Sequence, residues 1–188
     1  MNTAPSSWLT RWPQALRAGA RALDLACGSG RNFRYLAEQG LIVTGVDHDA
    51  QALQGLSALG EVLEADLEAG PWPLEGRQFD LVLVCNYLWR PRLQQVLDCV
   101  APGGWLVYET FATGQQTIGR PSRPEFLLQP GELIELCAGL RVVGFEDGFC
   151  SSDPATGVGE RYVQRIAAVR EIPAEGAFAR YFLKEPHA

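Results

Sequence analysis

The chain has 188 residues, 47% apolar and 20% charged, enough to bury a full core in one domain. Its formal charge of −6, with no lysine or arginine block, opposes a polyanionic partner, so nucleic acid is disfavoured. No run approaches the roughly 18 apolar residues of a membrane span, and Met1–Gln14 lacks the basic-then-apolar order of a secretory leader. The expected compartment is therefore the cytoplasm.

Taken in chain order, Met1–Pro13 places Trp8, Leu9 and Trp12 ahead of any strand, free to cover a surface. Arg21–Ala26 reads as a strand that carries Asp24 and runs into Gly28-Ser29-Gly30. A helix follows over Asn32–Gln39, with Phe33, Leu36 and Ala37 on one face and Gly40 as its stop. Ile42–Asp47 is a second strand, after which Asp49 caps a helix over Ala50–Leu59. Glu61–Asp66 is the third strand, and Gly70, Pro71, Pro73 and Gly76 leave the connection Leu67–Gln78 with little helix. Next come a strand over Phe79–Asn86, a helix over Pro91–Val100 with proline in its first turn, and a strand over Trp105–Phe111. A helix beginning near Pro130 carries Leu133, Ile134, Leu136 and Cys137. The last strands, Arg141–Phe149 and Arg161–Val169, are joined by a Ser, Asp, Pro and Gly-rich loop over Cys150–Glu160, which suits a hairpin.

Strands alternating with crossover segments define an α/β fold: a Rossmann-like, doubly wound, seven-stranded, mostly parallel sheet with a C-terminal antiparallel hairpin. Residues 1–188 are expected to form a single domain, with 1–20 as an N-terminal cap, 21–111 as a ligand-binding core and 112–188 as a substrate-side and hairpin region. The five cysteines stand singly and only His48 and His187 are available, so buried reduced thiols are expected and no metal site.

In such sheets ligands bind beyond the carboxyl ends of the strands, where the first strand-to-helix turn lies. Gly28 and Gly30 fall on that turn, and free N–H groups at the helix start favour an anionic group. A dinucleotide fingerprint needs a third small residue, and here that position is Phe33, which argues against a pyrophosphate cradle and a nicotinamide-dependent reductase. Asp24 adds a carboxylate to the same crevice and suits a ligand bearing an ammonium group.

The stretch Leu23–Asn32, LDLACGSGRN, resembles the first motif LDLGCGxGxN of class I S-adenosylmethionine-dependent methyltransferases, with Ala26 for the usual glycine. Val43–Asp49 resembles their second motif, Glu64–Gly70 the third, Phe79–Leu88 the fourth and Ala101–Phe111 the L-x-P-G-G signature. More loosely, Arg31-Asn32, Glu125–Cys137 and Phe145–Gly148 resemble the small bacterial tellurite-resistance-type methyltransferases.

That resemblance implies S-adenosylmethionine as cofactor and a residue-by-residue site. Asp24 would face the methionine ammonium, and the backbone of Ala26, Gly28 and Gly30 would surround the methionine part. Asn32 either reaches its carboxylate or satisfies the helix start. Asp47 would accept both ribose hydroxyls, His48 either lies against adenine or is a solvated loop residue, and Asp66 with the Leu67 N–H would read the adenine edge. Cys85 and Asn86 would line the cofactor by their carbonyls, and Arg11 either folds over the cofactor carboxylate or stays in solvent. On the acceptor side stand Tyr87, Trp89 and Arg90, the two aromatics reading equally as core residues, while Arg120, Arg123 and Arg161 either gather at the mouth for an anionic acceptor or are solvated loop residues. Glu109, at the end of its strand, reads equally as a base or as a hydrogen-bonding group.

The sulfonium is already activated, so alignment and a dry site suffice and no particular catalytic residue is obligatory. The expected activity is methyl transfer to a small-molecule or oxyanion acceptor. The alternatives are RNA or protein methylation and a non-catalytic S-adenosylmethionine-binding regulator.

Overall fold

A computed structural model describes residues 4–152, 158–172 and 179–183. Its seven strands are β1 (Arg21–Leu25), β2 (Ile42–Asp47), β3 (Glu61–Glu64), β4 (Phe79–Cys85), β5 (Val100–Phe111), β6 (Arg141–Cys150) and β7 (Arg161–Val169). They form one sheet in the order β3-β2-β1-β4-β5-β7-β6. The first five are parallel, and β7 lies antiparallel between β5 and β6, so the doubly wound sheet with a closing hairpin is present. Within the predicted hairpin loop, residues 153–157 lie outside the described residues, as does His187.

Strand order reverses between β1 and β4, which places the carboxyl ends of these two strands at the switch where ligands bind. Both faces of the central strands are buried, as a doubly wound sheet requires. On β4, Leu81 and Leu83 face one core with Phe33, Leu36 and Leu56. Val82 and Val84 face the other with Leu74, Val96 and Leu133. The predicted cover segment belongs to the first core, with Trp8, Leu9 and Trp12 at most 2% exposed. The indole N–H of Trp8 donates to the Ile166 carbonyl of β7 (3.0 Å), and a Cβ at Gly144 would collide with the Trp12 ring, so β6 needs glycine there.

Two of the helices, α3 and α4, are shorter than their periodicity predicts, each for a local reason. α1 (Ser7–Thr10) is one turn, capped by the Ser6 hydroxyl, which accepts from Trp8 and Leu9. α2 (Arg31–Glu38) begins one residue early, because Gly30, at φ 81°, serves as its N-cap. α3 (Ala50–Leu53) is capped by Asp49 as expected, but ends well before Leu59. Gly55 weakens helix by about 1 kcal/mol, and the chain turns so that Leu56 is fully buried beside Gly30. α4 (Leu93–Asp98) follows a tight turn at Arg90–Arg92 that takes up Pro91, and α5 (Glu132–Leu136) starts after Gly131 at φ 76°.

β5 begins five residues before the predicted Trp105, with a register shift against β4 between Phe79 and Leu81. Gly103, at φ 78°, donates its N–H to the Arg170 carbonyl (2.6 Å). A Cβ on Gly104 would come within 2.9 Å of the Phe79 carbonyl oxygen, so the paired glycines let this bulged start of the strand stay paired.

Candidate active site

After β1 the backbone adopts the left-handed region at Ala26 (φ 54°), Gly28 (φ 53°) and Gly30 (φ 81°). A non-glycine residue there is strained by about 1–2 kcal/mol, so the alanine at position 26 keeps a glycine-type turn at a cost. Gly30 must be glycine twice over, since a Cβ would also strike the Leu56 methyl groups, whereas Gly28 faces open space.

Asp24 is 1% exposed, and neither carboxylate oxygen has a hydrogen-bond partner among the described residues. Burial pushes its carboxyl up to about 7, opposed by the nearby Arg31 guanidinium and by the Phe33 N–H, which faces it outside good hydrogen-bond geometry. A buried carboxylate without partners is costly and calls for a ligand group that satisfies it. Asp47, at the end of β2, is 7% exposed and held in a fixed pose. Its Oδ2 accepts from the Gly28 N–H (2.7 Å) and its Oδ1 from the Asp49 N–H (3.0 Å), leaving one lone pair on each oxygen for a diol. The exposed His48 ring stands with Nδ1 3.4 Å from Asp47 Oδ1.

Asp66 is exposed, and its Oδ1 caps the following turn by accepting from the Glu68 (2.8 Å) and Ala69 (3.0 Å) N–H groups. Those two N–H groups, Ala69 first, hold its carboxyl below the usual range. Asp66, Leu67 and His48 nevertheless line one cleft of about 400 Å³ with Ala26, Asp47, Asn86 and Tyr87. The Tyr87 hydroxyl is buried without a partner among the described residues, and burial raises it.

A second cleft, of about 440 Å³, meets the first at Asn86. Asn86 sits at φ 56° with its N–H donating to the Glu109 carbonyl (2.9 Å), which pins the junction to β5. The second cleft runs over the ends of β5 and β7 beneath Pro5–Ser7, and brings together Arg31, Arg120, Arg161, Arg165 and Glu109. Glu109 is 1% exposed. Its Oε1 accepts from the Ser6 hydroxyl and lies 3.4 Å from Cys85 Sγ, while Oε2 lies 3.1 Å from Arg165 Nε and 3.8 Å from Arg161 Nη2. Arg31 donates to Cys85 Sγ (3.0 Å) and to the Ala4 carbonyl (2.9 Å). Burial pushes the Cys85 thiol up to about 12, with the Glu109 charge adding to it.

Other predicted residues stand elsewhere. Asn32 is 4% exposed and its Oδ1 accepts from the Ser6 N–H (2.8 Å), so it anchors the N-terminal segment. Arg11 pairs with Glu146 and packs over the Trp8 and Trp12 rings instead of reaching the crevice. Arg90 is committed to Glu132 (2.7 and 2.8 Å) and to the carbonyls of Glu125 and Leu127. It clamps the loop after β4 to the approach to α5. Arg123 is 71% exposed and pairs with Glu125, outside both clefts. Trp89 is half-buried in the turn before Arg90 and lines neither cleft.

Sequence reading missed Arg165, Arg31 and Ser6 as site residues. Arg165 was within reach of it, because strand periodicity sets positions 161 and 165 on one face of β7. Ser6 carried no such signal, since its partner Glu109 is 103 residues away. No group of His, Cys, Asp and Glu that could hold a metal occurs among the described residues, and no helix there is long and apolar enough to cross a membrane.

The sheet order, with β7 antiparallel at the end of a parallel run, is that of the Rossmann-like methyltransferase fold. Residues 22–104 match the family described as "Methyltransferase domain". A malonyl-[acyl-carrier protein] O-methyltransferase of Enterobacter lignolyticus (strain SCF1) is 36% identical over 105 residues, covering 51% of this chain and 41% of that protein. The chain thus spans about two-fifths of that relative's length. Among solved structures, TehB from Haemophilus influenzae aligns with a TM-score of 0.65 at 20% identity, over 81% of this chain and 58% of that one. A S-adenosylmethionine-dependent methyltransferase from Methanosarcina mazei aligns at 0.65 and 17% identity, over 90% and 100%. These two likenesses concern the fold.

Proposed function

We propose that the chain transfers a methyl group from S-adenosylmethionine to a small-molecule or oxyanion acceptor and releases S-adenosylhomocysteine, residues 1–188 acting as one unit. The observation that carries this reading is Asp24, a buried carboxylate with both oxygens unpartnered beside the glycine turn. The ammonium of the methionine part would satisfy it. The residues at the turn fit the rest of the donor: the backbone of Ala26, Gly28 and Gly30 around the methionine part, and Asp47 on the ribose hydroxyls. His48, the free Asp66 Oδ2 and the Leu67 N–H would take adenine, and the backbones of Cys85 and Asn86 would pass beneath the sulfonium. Asn32 contributes by holding Ser6 over the crevice.

The donor supplies an electrophilic methyl. A lone pair on the acceptor forms the new bond to that carbon while the carbon–sulfur pair returns to sulfur, and any proton on the acceptor atom leaves to a base. This chain's part is to align acceptor and methyl across Asn86 and to exclude water. In this reading the acceptor wall lies on β5 and β7, with Tyr87 at its donor-side rim, because Arg90 is committed to Glu132 and Arg123 points outward. Calorimetric titration with S-adenosylmethionine tests the proposal: saturable binding that Asp47→Ala weakens by on the order of a hundredfold is expected. A parent protein that binds no S-adenosylmethionine overturns it.

A further inference from the structure

The chain carries a charge of −6, yet the second cleft is lined by four arginines, Arg31, Arg120, Arg161 and Arg165, against two glutamates, Glu109 and Glu160. Two of these cations are deeply set, the side chains of Arg161 and Arg165 being 13% and 11% exposed. Arg165 Nε pairs with Glu109 Oε2 at 3.1 Å, while the Arg161 Nε is buried without a hydrogen-bond partner among the described residues. Arg165 also reaches Glu146 (3.3 Å), which Arg11 shares, so three arginines, Arg11, Arg161 and Arg165, divide two glutamates between them. A cleft with a cationic excess and an unused buried guanidinium donor is an anion site, and arginine forks suit a planar, bidentate carboxylate.

Size and lining narrow the anion. Clefts of about 300–1,000 Å³ are filled by small organic ligands, and this one measures about 440 Å³. A bare inorganic oxyanion would leave most of it to water. Pro5, Phe111 and Val158 give the cleft an apolar wall that such an ion would not use.

We propose that the second cleft takes an organic anion, its carboxylate held by Arg161 and Arg165 and its apolar body against Phe111, Pro5 and Val158, and that this organic acid is the methyl acceptor. The inference rests on reading the neighbouring cleft as the donor site, since the two meet at Asn86.

The test is calorimetry on protein saturated with S-adenosylhomocysteine, with benzoate, octanoate and trans-cinnamate as probes, cinnamamide as the uncharged match and tellurite as the inorganic ion. At least one carboxylate binds, and cinnamamide binds about tenfold or more weakly than cinnamate, because the charged contact is lost. Arg161→Gln weakens carboxylate binding by about tenfold or more while S-adenosylhomocysteine binding is kept, and Arg161→Lys recovers part of the loss by supplying charge without the fork. Arg120→Gln, an exposed position that leaves folding intact, weakens it a few-fold in a salt-dependent way. Equal binding of cinnamamide and cinnamate overturns the proposal, as does tellurite binding while every carboxylate fails. So does failure of all the probes in protein that does bind S-adenosylhomocysteine. Carboxylate binding that depends on Arg161 in protein unable to bind S-adenosylhomocysteine sinks the donor reading and the acceptor role, and leaves the anion site standing.

Discussion

The two clefts that meet at Asn86 are built by opposite means. The first is made of backbone: left-handed turns at Ala26, Gly28 and Gly30, strand ends, and carboxylates fixed by neighbouring N–H groups. The second is made of long side chains projected from β5 and β7 under a roof from the N-terminal segment. A site of the first kind is rigid and chemically narrow. One of the second kind can change its ligand by exchanging a few side chains without disturbing the fold, so the fold constrains the chemistry of the first cleft far more than that of the second.

This contrast can be broken or sharpened by substitution. The largest expected effect is on Asp47→Ala, which removes two charge-assisted contacts to the ribose and should weaken S-adenosylmethionine by about 3 kcal/mol, on the order of a hundredfold, in a calorimetric titration. If it did not, the first cleft would not be the donor site. Gly30→Ala forces a Cβ into Leu56 at a positive φ and should cost about 2–3 kcal/mol of stability by denaturant unfolding. A smaller loss would mean that the turn is less rigid than the contrast requires.

Asp24 gives a pH signature. Its folded carboxyl, up to about 7 from 3.8 through burial, lies above the unfolded value, so the unliganded protein loses stability from this group as pH rises from about 4 to 7. An ammonium-bearing donor requires the ionised form. S-adenosylmethionine affinity should therefore rise up to about tenfold per pH unit below about 7 and level above it. Asp24→Asn should flatten both profiles, and a parent whose affinity is flat from pH 5 to 8 counts against the assigned ammonium contact. Arg90→Ala should cost about 1–2 kcal/mol of stability, the partial exposure of the pair limiting the loss, with donor affinity intact. Arg123→Ala is the smallest case: a melting temperature within about 2 °C of the parent and unchanged donor affinity.

How far each cleft is legible in the sequence follows from the same contrast. Asp24, the glycine turn and Asp47 lie within 24 consecutive positions, and each acts through local backbone conformation that residue type dictates. β7 was bounded correctly from pattern alone, at Arg161–Val169. α3 was read several residues too long, because periodicity does not register that Leu56 does better buried beside Gly30 than on a helix face. The second cleft depends on cross-strand register, Glu109 against Arg165, and on Ser6 folding back onto Glu109. Those pairings are set by tertiary packing. Arg90 shows the same limit from the other side: its position after β4 suggested substrate contact, while Glu132, 42 residues on, claims its guanidinium.

Asn86 belongs to both clefts and is fixed by a backbone hydrogen bond to β5, so the separation of the two ligands is set by the sheet and not by a moving loop. One molecule that joins an adenosine unit to an aromatic acid through a short tether would then meet its second half at millimolar effective concentration. Tether length becomes a ruler: the linked compound that binds most tightly reports the distance from donor to acceptor across Asn86.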